Sequence, residues 1–392
     1  MKYKKITIAV LMALSGTVGA VDVNFSQISA GTVTNLTISQ TGTGKSRISS
    51  GNALTSTQGN VITGTSARGV SFSEADEASG NFTHVGTLTT LSLTQATTSA
   101  NGELDNNENT ITGAMYTSAG SVTVNQAGDA NALDLAIGAS GTAMTSSTIS
   151  VTQTGNDNQV ELNRAGGGTH SDTITLRGNG NAVKVTGTQT SGQTGTLSII
   201  TGTGSDSNQI TATQTGTGTL SATLGANSDS NILDLTQTAT GASLTLSVEG
   251  SGNNVYTSQT SASSTANLTI TGGTNKVDVA QSAANVSSTL TLNGSGNNVD
   301  ITQSAASAGS TLTLSGSSNI VGITQSAASA NSTLTLTGSG NTVGITQSAA
   351  NAVASLNVTS TNATVAVTQQ TANASYTYAG TVPDGGSITV TQ

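Results

Sequence analysis

The chain has no cysteine and no tryptophan, a single proline (Pro383), 2% aromatic residues and only 7% charged residues among 392. Each absence excludes something. Without cysteine there are no disulfides and no thiolate metal site. With so few large side chains an ordinary globular core is hard to build, although 392 residues would suffice for two or three conventional domains. The low charge and the abundance of Val, Ile and Thr argue equally against a disordered chain. The ten basic residues are outnumbered by nineteen acidic ones, which argues against nucleic acid as a partner. His84 and His170 are the only histidines and stand far apart with no clustered carboxylates, so they are expected as exposed turn residues rather than metal ligands. No G-x-S-x-G elbow sits between a strand and a helix. Glycine turns such as Gly338-Ser339-Gly340-Asn341 lack the nine-residue period and the Asp of calcium-binding repeats, and the acidic stretch Glu103, Asp105, Glu108 reads as a solvated loop. No enzymatic activity and no cofactor are expected.

What is abundant is repetition. A unit typified by 331–350, NSTLTLTGSGNTVGITQSAA, returns every 22 residues through the C-terminal half. One phase is held by Asn231, Asn253, Asn275, Asn297, Asn319 and Asn341. A second, six residues later, is held by Gln237, Gln259, Gln281, Gln303, Gln325, Gln347 and Gln369. Within the unit Leu334 and Leu336 alternate with threonines, and Val343, Ile345 and Gln347 alternate with Thr342, Gly344 and Thr346. Period two in β-favouring residues predicts strands with one apolar face. Gly338–Asn341 and the small residues after Gln347 predict turns between them. Such a strand–turn–strand–turn unit cannot bury its apolar face alone. Stacking the next unit on it pairs the backbone at about 4.8 Å and aligns like side chains into rows. The fold class expected is all-β: a two-sheet β-solenoid with cross-β geometry, in which Leu334, Leu336, Val343 and Ile345 point inward and the amide rows hydrogen-bond along the stack.

Residues 1–20 have the form of a secretory signal peptide: Lys2, Lys4 and Lys5, a short apolar core from Ile6 to Leu14, and the small-residue site Val18-Gly19-Ala20. Its removal takes three lysines from ten basic residues against nineteen acids, moving the formal net charge from −9 to −12. No later stretch is long and apolar enough for a transmembrane segment. The expected organisation is a leader at 1–20, irregular repeats with acidic loops at 21–117, and solenoid repeats at 118–392, most regular at 218–372. Residues 59–87 fit the repeat worst. Earlier repeats are looser, with spacings drifting from 22 to 27; Val122, Val124 and Gln126, then Ile149, Val151 and Gln153, then Ile174 and Leu176, keep the phase. Roughly fifteen units at about 4.8 Å each would make a stack on the order of 70 Å. From Ser251 to Gln392 only Lys276, Asp278, Asp300 and Asp384 are charged. Charges guard sheet edges against pairing, so a half almost without them is suited to recruiting a further strand.

At 147–164, STISVTQTGNDNQVELNR, Ser147, Gln153, Gly155 and Asn158 stand at the spacing Ser-x5-Gln-x-Gly-x2-Asn, with Val160 next inward. This resembles the repeat of curlins, the secreted subunits of bacterial curli amyloid fibres. That repeat continues Asn-x-Ala-x3-Gln, matched with Val for Ala by Asn341, Val343 and Gln347 and by Asn319, Val321 and Gln325; Gln126, Gly128 and Asn131 match its first half again. The chain departs from the pattern where Leu292, Leu314 and Leu336 replace the first Gln, where Arg164 replaces the final Gln, in its greater length, and in having no matched secretion-targeting segment after Val21. The resemblance implies a subunit exported through an outer-membrane secretion pore, started by a nucleator subunit at the cell surface, and self-associating into biofilm fibres that support adhesion. Two other readings stand beside it. One is a monomeric surface adhesin. The other is an ice-binding solenoid using outward rows Thr289, Thr311, Thr333 and Thr291, Thr313, Thr335.

Overall fold

The strands form where the period-two pattern places them. The computed structural model describes the backbone of strands between Ile6 and Thr391 and, from Ser121 onward, most of their side chains. Several turns, among them 202–206, 226–229 and 239–242, lie outside the described residues. So do most of the expected leader and the acidic loops that carry Glu74, Asp76, Glu77, Glu103, Asp105 and Glu108. Among the described residues there is no helix. The chain divides into two compact units, 1–205 and 206–392.

In the second unit each coil is two strands joined by a tight turn, and each strand pairs in parallel with the strand one coil on. Ser287–Asn293, Gly309–Ser315, Asn331–Gly338 and Val353–Ser360 make one run, in which Leu290, Leu312, Leu334 and Leu356 lie in a single row. Lys276–Gln281, Asn298–Gln303, Ile320–Gln325, Thr342–Gln347 and Thr364–Gln369 make the facing run, with Val277, Val299, Val321, Val343 and Val365 in one row. The architecture is a two-sheet parallel β-solenoid with a coil of about 22 residues. Leu334, Leu336, Val343 and Ile345 are at most 1% exposed, so the inward register is the one the alternation predicts. Two aliphatic rows per sheet suffice, because stacking excludes water from their flanks and the facing sheet closes the core.

The turns repeat as strictly as the strands. After Gln281, Gln303, Gln325 and Gln347 the chain turns through a left-handed residue: Asn285, Ser307, Ser329 and Asn351, with φ between 61° and 65°. Asn and Ser tolerate this conformation better than bulky residues do. At the other turn Gly272, Gly294, Gly316 and Gly338 stack so closely that a Cβ on any of them would lie 1.5–1.7 Å from the carbonyl oxygen of the glycine one coil earlier. No residue with a side chain fits there, which explains a glycine at this position in five successive coils beginning with Gly250. The row ends at Ser360, which pairs with Gly338 but turns its side chain inward.

The first unit follows the same plan. Ala119–Ala127, Ser146–Thr154, Thr169–Arg177 and Thr194–Thr201 form one run; Thr110–Thr117, Ala132–Ile137, Gln159–Gly166 and Ala182–Gln189 form the other. Val122, Ile149, Asp172 and Leu197 share a row, as do Val124, Val151, Ile174 and Ile199. The poorly fitting stretch 59–87 contributes backbone to strands Leu54–Ser66, Val70–Ser71 and Thr83–Ala96, and the register between the first and last of these shifts near Ser56–Val61.

Candidate functional site

The amide rows are the candidate stacking residues, and in the second unit the structure places the Asn row at one edge of successive coils from Asn231 to Asn341, after which buried Ala363 takes the position. Asn231, Asn253, Asn275, Asn297, Asn319 and Asn341 are all at most 2% exposed. Asn253, Asn275, Asn297, Asn319 and Asn341 each occupy the first inward position after the glycine turn, just before a strand. Their main-chain carbonyls accept from the coil above: Thr342 N–H donates to Asn319 O at 2.9 Å, and Ile320 N–H to Asn297 O at 3.0 Å. The side chains add coil-to-coil bonds of their own. Asn297 Nδ2 donates to Asn275 Oδ1 at 3.5 Å, the Asn319 N–H donates to Asn341 Oδ1 at 3.1 Å, and Asn341 Nδ2 donates to Ser360 Oγ at 3.4 Å. Asparagine suits this row because its amide both donates and accepts, so one residue type can serve the coil above and the coil below.

Gln237, Gln259, Gln281, Gln303, Gln325, Gln347 and Gln369 close their strands in one unbroken register. The Gln237 side chain is fully buried. The side chains from Gln259 to Gln369 lie outside the described residues. In the first unit Gln153 is likewise buried, and its Nε2 donates to Gln159 O at 2.8 Å across the turn within its own coil. There the amide braces a turn as well as standing in a row.

The outer faces differ in character. On one sheet Thr289, Thr311 and Thr333, flanked by Thr291, Thr313 and Thr335, stand in register and reach solvent. On the other, Asp234, Tyr256, Asp278 and Asp300 share a row. Lys276 Nζ lies 5.3 Å from the centre of the Tyr256 ring, within cation–π range. Partial burial raises the Asp278 carboxyl above the ordinary range; neighbouring Asp300 raises it further and Lys276 opposes. Among the described residues no group of three or more His, Asp or Glu side chains gathers as a metal site.

One cluster departs from what the sequence suggests. His170 is not an exposed turn residue: it lies in the strand Thr169–Arg177 and is 2% exposed. Two residues on, Asp172 fills an inward position held by Ile149 and Leu197 in the adjacent coils. Arg164, at the position where the repeat would place Gln, reaches it from the facing sheet: Arg164 Nη1 and Asp172 Oδ2 are 2.5 Å apart, with both side chains at most 1% exposed. Burial pushes the Asp172 carboxyl up to about 6 against the pull of Arg164, and lowers His170 to about 4, helped by the Arg164 charge. His84 lies in the strand Thr83–Ala96, with its side chain outside the described residues. The misplacement of His170 has a simple cause: Gly166–Gly168 just before it reads as a long turn. The usable signal was the alternation through His170, Asp172, Ile174 and Leu176.

Compared with known proteins, the chain matches no family model, no curated sequence and no solved structure. Among the described residues no helix is long and apolar enough to cross a membrane.

Proposed function

We propose that this protein is the structural subunit of an extracellular curli-like fibre, assembled by stacking β-solenoids end to end. The observation that supports this most directly is the in-register repetition of inward rows. A coil offers its successor the Asn, Leu, Val and Gln positions that it receives from its predecessor, so a coil of one copy could accept a coil of another as readily as its own neighbour. The curlin-like spacing of Ser147, Gln153, Gly155 and Asn158 points the same way, as does the scarcity of charge after Ser251. On this reading the chain is secreted by way of its leader, exported through an outer-membrane pore and started by a nucleator subunit, and its fibres contribute to biofilm matrix and adhesion. The work is mechanical: no residue acts as a catalyst, and the amide rows set register. Purified protein lacking residues 1–20 should form filaments visible by electron microscopy, bind amyloid dyes, and give a fibre reflection near about 4.8 Å. Protein that stays monomeric for days at high concentration would refute the proposal.

The outward Thr rows favour a second reading, binding to a regular surface such as ice. A monomer that shapes ice crystals, and loses that effect with Thr313→Lys, would support it over the fibre. A monomer that instead binds cells without forming filaments would point to an adhesin.

A further inference from the structure

A chain of near-identical coils has a stacking problem. In 287–347 a slip by one whole coil would replace Leu290 by Leu312, Val299 by Val321 and Ile301 by Ile323, leaving the core rows almost unchanged. Nothing in those rows distinguishes the right neighbour from the next one along. Register errors that keep the inward face inward are the ones a periodic pattern cannot penalise.

We infer that the buried Arg164–Asp172 pair is a register key, fixing which coil stacks on which in the first unit. The two residues belong to different coils. Arg164 ends the coil built from Ser146–Thr154 and Gln159–Gly166; Asp172 opens the next, built from Thr169–Arg177 and Ala182–Gln189. Their ion pair spans the turn between Gln159–Gly166 and Thr169–Arg177, and any stacking that takes one of these strands out of the solenoid without the other breaks it. The surroundings are cut to fit. Arg164 pairs with Gly187 in the following coil and His170 pairs with Gly195, both buried inward positions with no side chain, whereas the preceding coil has buried Ile137 in the Arg164 row.

Consider the slip that loops out the Arg164 coil and seats Thr169–Arg177 directly on Ala119–Ala127. Asp172 would then lie against Val122 with its counter-charge outside the core. Looping out the Asp172 coil instead would leave Arg164 in an apolar row without Asp172. Either error buries a charge without its partner, which is far more costly than the pair itself. The key thus acts against wrong stackings rather than for the right one.

The absence of cysteine makes this testable with engineered pairs. Ser150 and Thr173 are outward register partners; Thr123 and Thr173 are two coils apart, about 10 Å, beyond the reach of a disulfide. Dilute full-length chain carrying Ser150→Cys with Thr173→Cys, or Thr123→Cys with Thr173→Cys, is refolded under oxidising conditions and the bridges are mapped by mass spectrometry. With the key intact, 150–173 should bridge and 123–173 should not. With Arg164→Ile, His170→Ser and Asp172→Ile together, the residues of the preceding coil, the 123–173 bridge should rise at least tenfold and the 150–173 bridge should fall. Asp172→Asn alone nearly preserves shape and should also raise 123–173, because looping out the Arg164 coil takes the stranded Arg164 out of the core while Thr173 stays in the stack. If both backgrounds keep the native bridging pattern, the inference is wrong. Should the triple variant fail to fold, the Asp172→Asn result decides by itself.

Discussion

Placing a methyl group on Gly316 should open the solenoid locally, and the structure allows the size of the effect to be worked out. Gly316 has φ +146°, a region essentially reserved for glycine, and an added Cβ would lie 1.6 Å from Gly294 O. That separation must grow to at least 3.0 Å before it resembles any real Cβ contact. The backbone cannot move that far and keep both the Gly294 N–H bond to Ser315 O at 2.9 Å and the Gly316 N–H bond to Thr337 O at 3.0 Å. Backbone strain of about 1–3 kcal/mol and the loss of one inter-coil hydrogen bond at about 0.5–1.5 kcal/mol give roughly 2–4 kcal/mol for Gly316→Ala. Gly344 is the control. It lies on an outward strand face, with nothing within 4 Å of the place a methyl group would take, and alanine there should be neutral or stabilise by about 0.4–1 kcal/mol. Because coils in a stack touch only their neighbours, the damage should stay local. Amide hydrogen exchange read by mass spectrometry suits it better than a global melt. Peptides spanning 309–325 should exchange roughly 30- to 1000-fold faster in Gly316→Ala, and Gly344→Ala should leave them unchanged or slower. Equal protection in the two variants would refute the argument that close approach of successive coils, rather than turn conformation in general, requires glycine in this row.

Asn297→Ala should lower the stability of its own coil by about 1–2 kcal/mol, since it removes a buried bond to Asn275, whereas Asn298→Ala at the neighbouring exposed position should change little; urea-dependent exchange measures both. In the proposed fibre, Val390→Lys should slow dye-detected elongation more than Gln281→Ala does at equal monomer concentration. Among the described residues the strand Ser387–Thr391 is paired on one side only, and Ile388 and Val390 are each 37% exposed in the inward register of Val365 and Val367. The acid response of the first unit should change in His170→Gln. In the native chain two effects oppose each other: Asp172 at about 6 lies above its ordinary 3.8, so falling pH favours the folded state, while His170 at about 4 lies below its ordinary 6.5, so falling pH favours unfolding. With the histidine gone, exchange protection of peptides covering 169–177 should increase as pH falls from about 6 to about 4, after correction for intrinsic exchange rates; the charged groups Arg177 on the same strand and Asp134, Glu161 and Lys184 on the facing run occupy outward positions. Protection that falls with pH in that variant would show that burial does not raise the Asp172 carboxyl.

Much of the solenoid is a property of the sequence read locally. Leu334, Leu336, Val343 and Ile345 are inward because alternation with Thr and Gly leaves one apolar face per strand, and burying that face is what stacking achieves. The Asn and Gln phases were legible for the same reason: a 22-residue period states which residues will share a row before any coordinate is known. What alternation could not show is contact between rows. The need for glycine at 272, 294, 316 and 338 arises only when one coil lies on the next and a carbonyl occupies the space of a methyl. Arg164 could be seen to break the pattern, but its partner could not, because Asp172 sits on the facing sheet and in the following coil. His170 reads as a surface residue from its place after three glycines, but Thr169–Arg177 pairs between two other strands and carries it inward. The sequence by itself thus determined the fold class, the repeat and the inward faces, since these depend on the order of apolar and polar residues along a strand. Only the tertiary structure decided which charges meet in the core and where no side chain can stand, because those depend on distances between coils that the chain order does not contain.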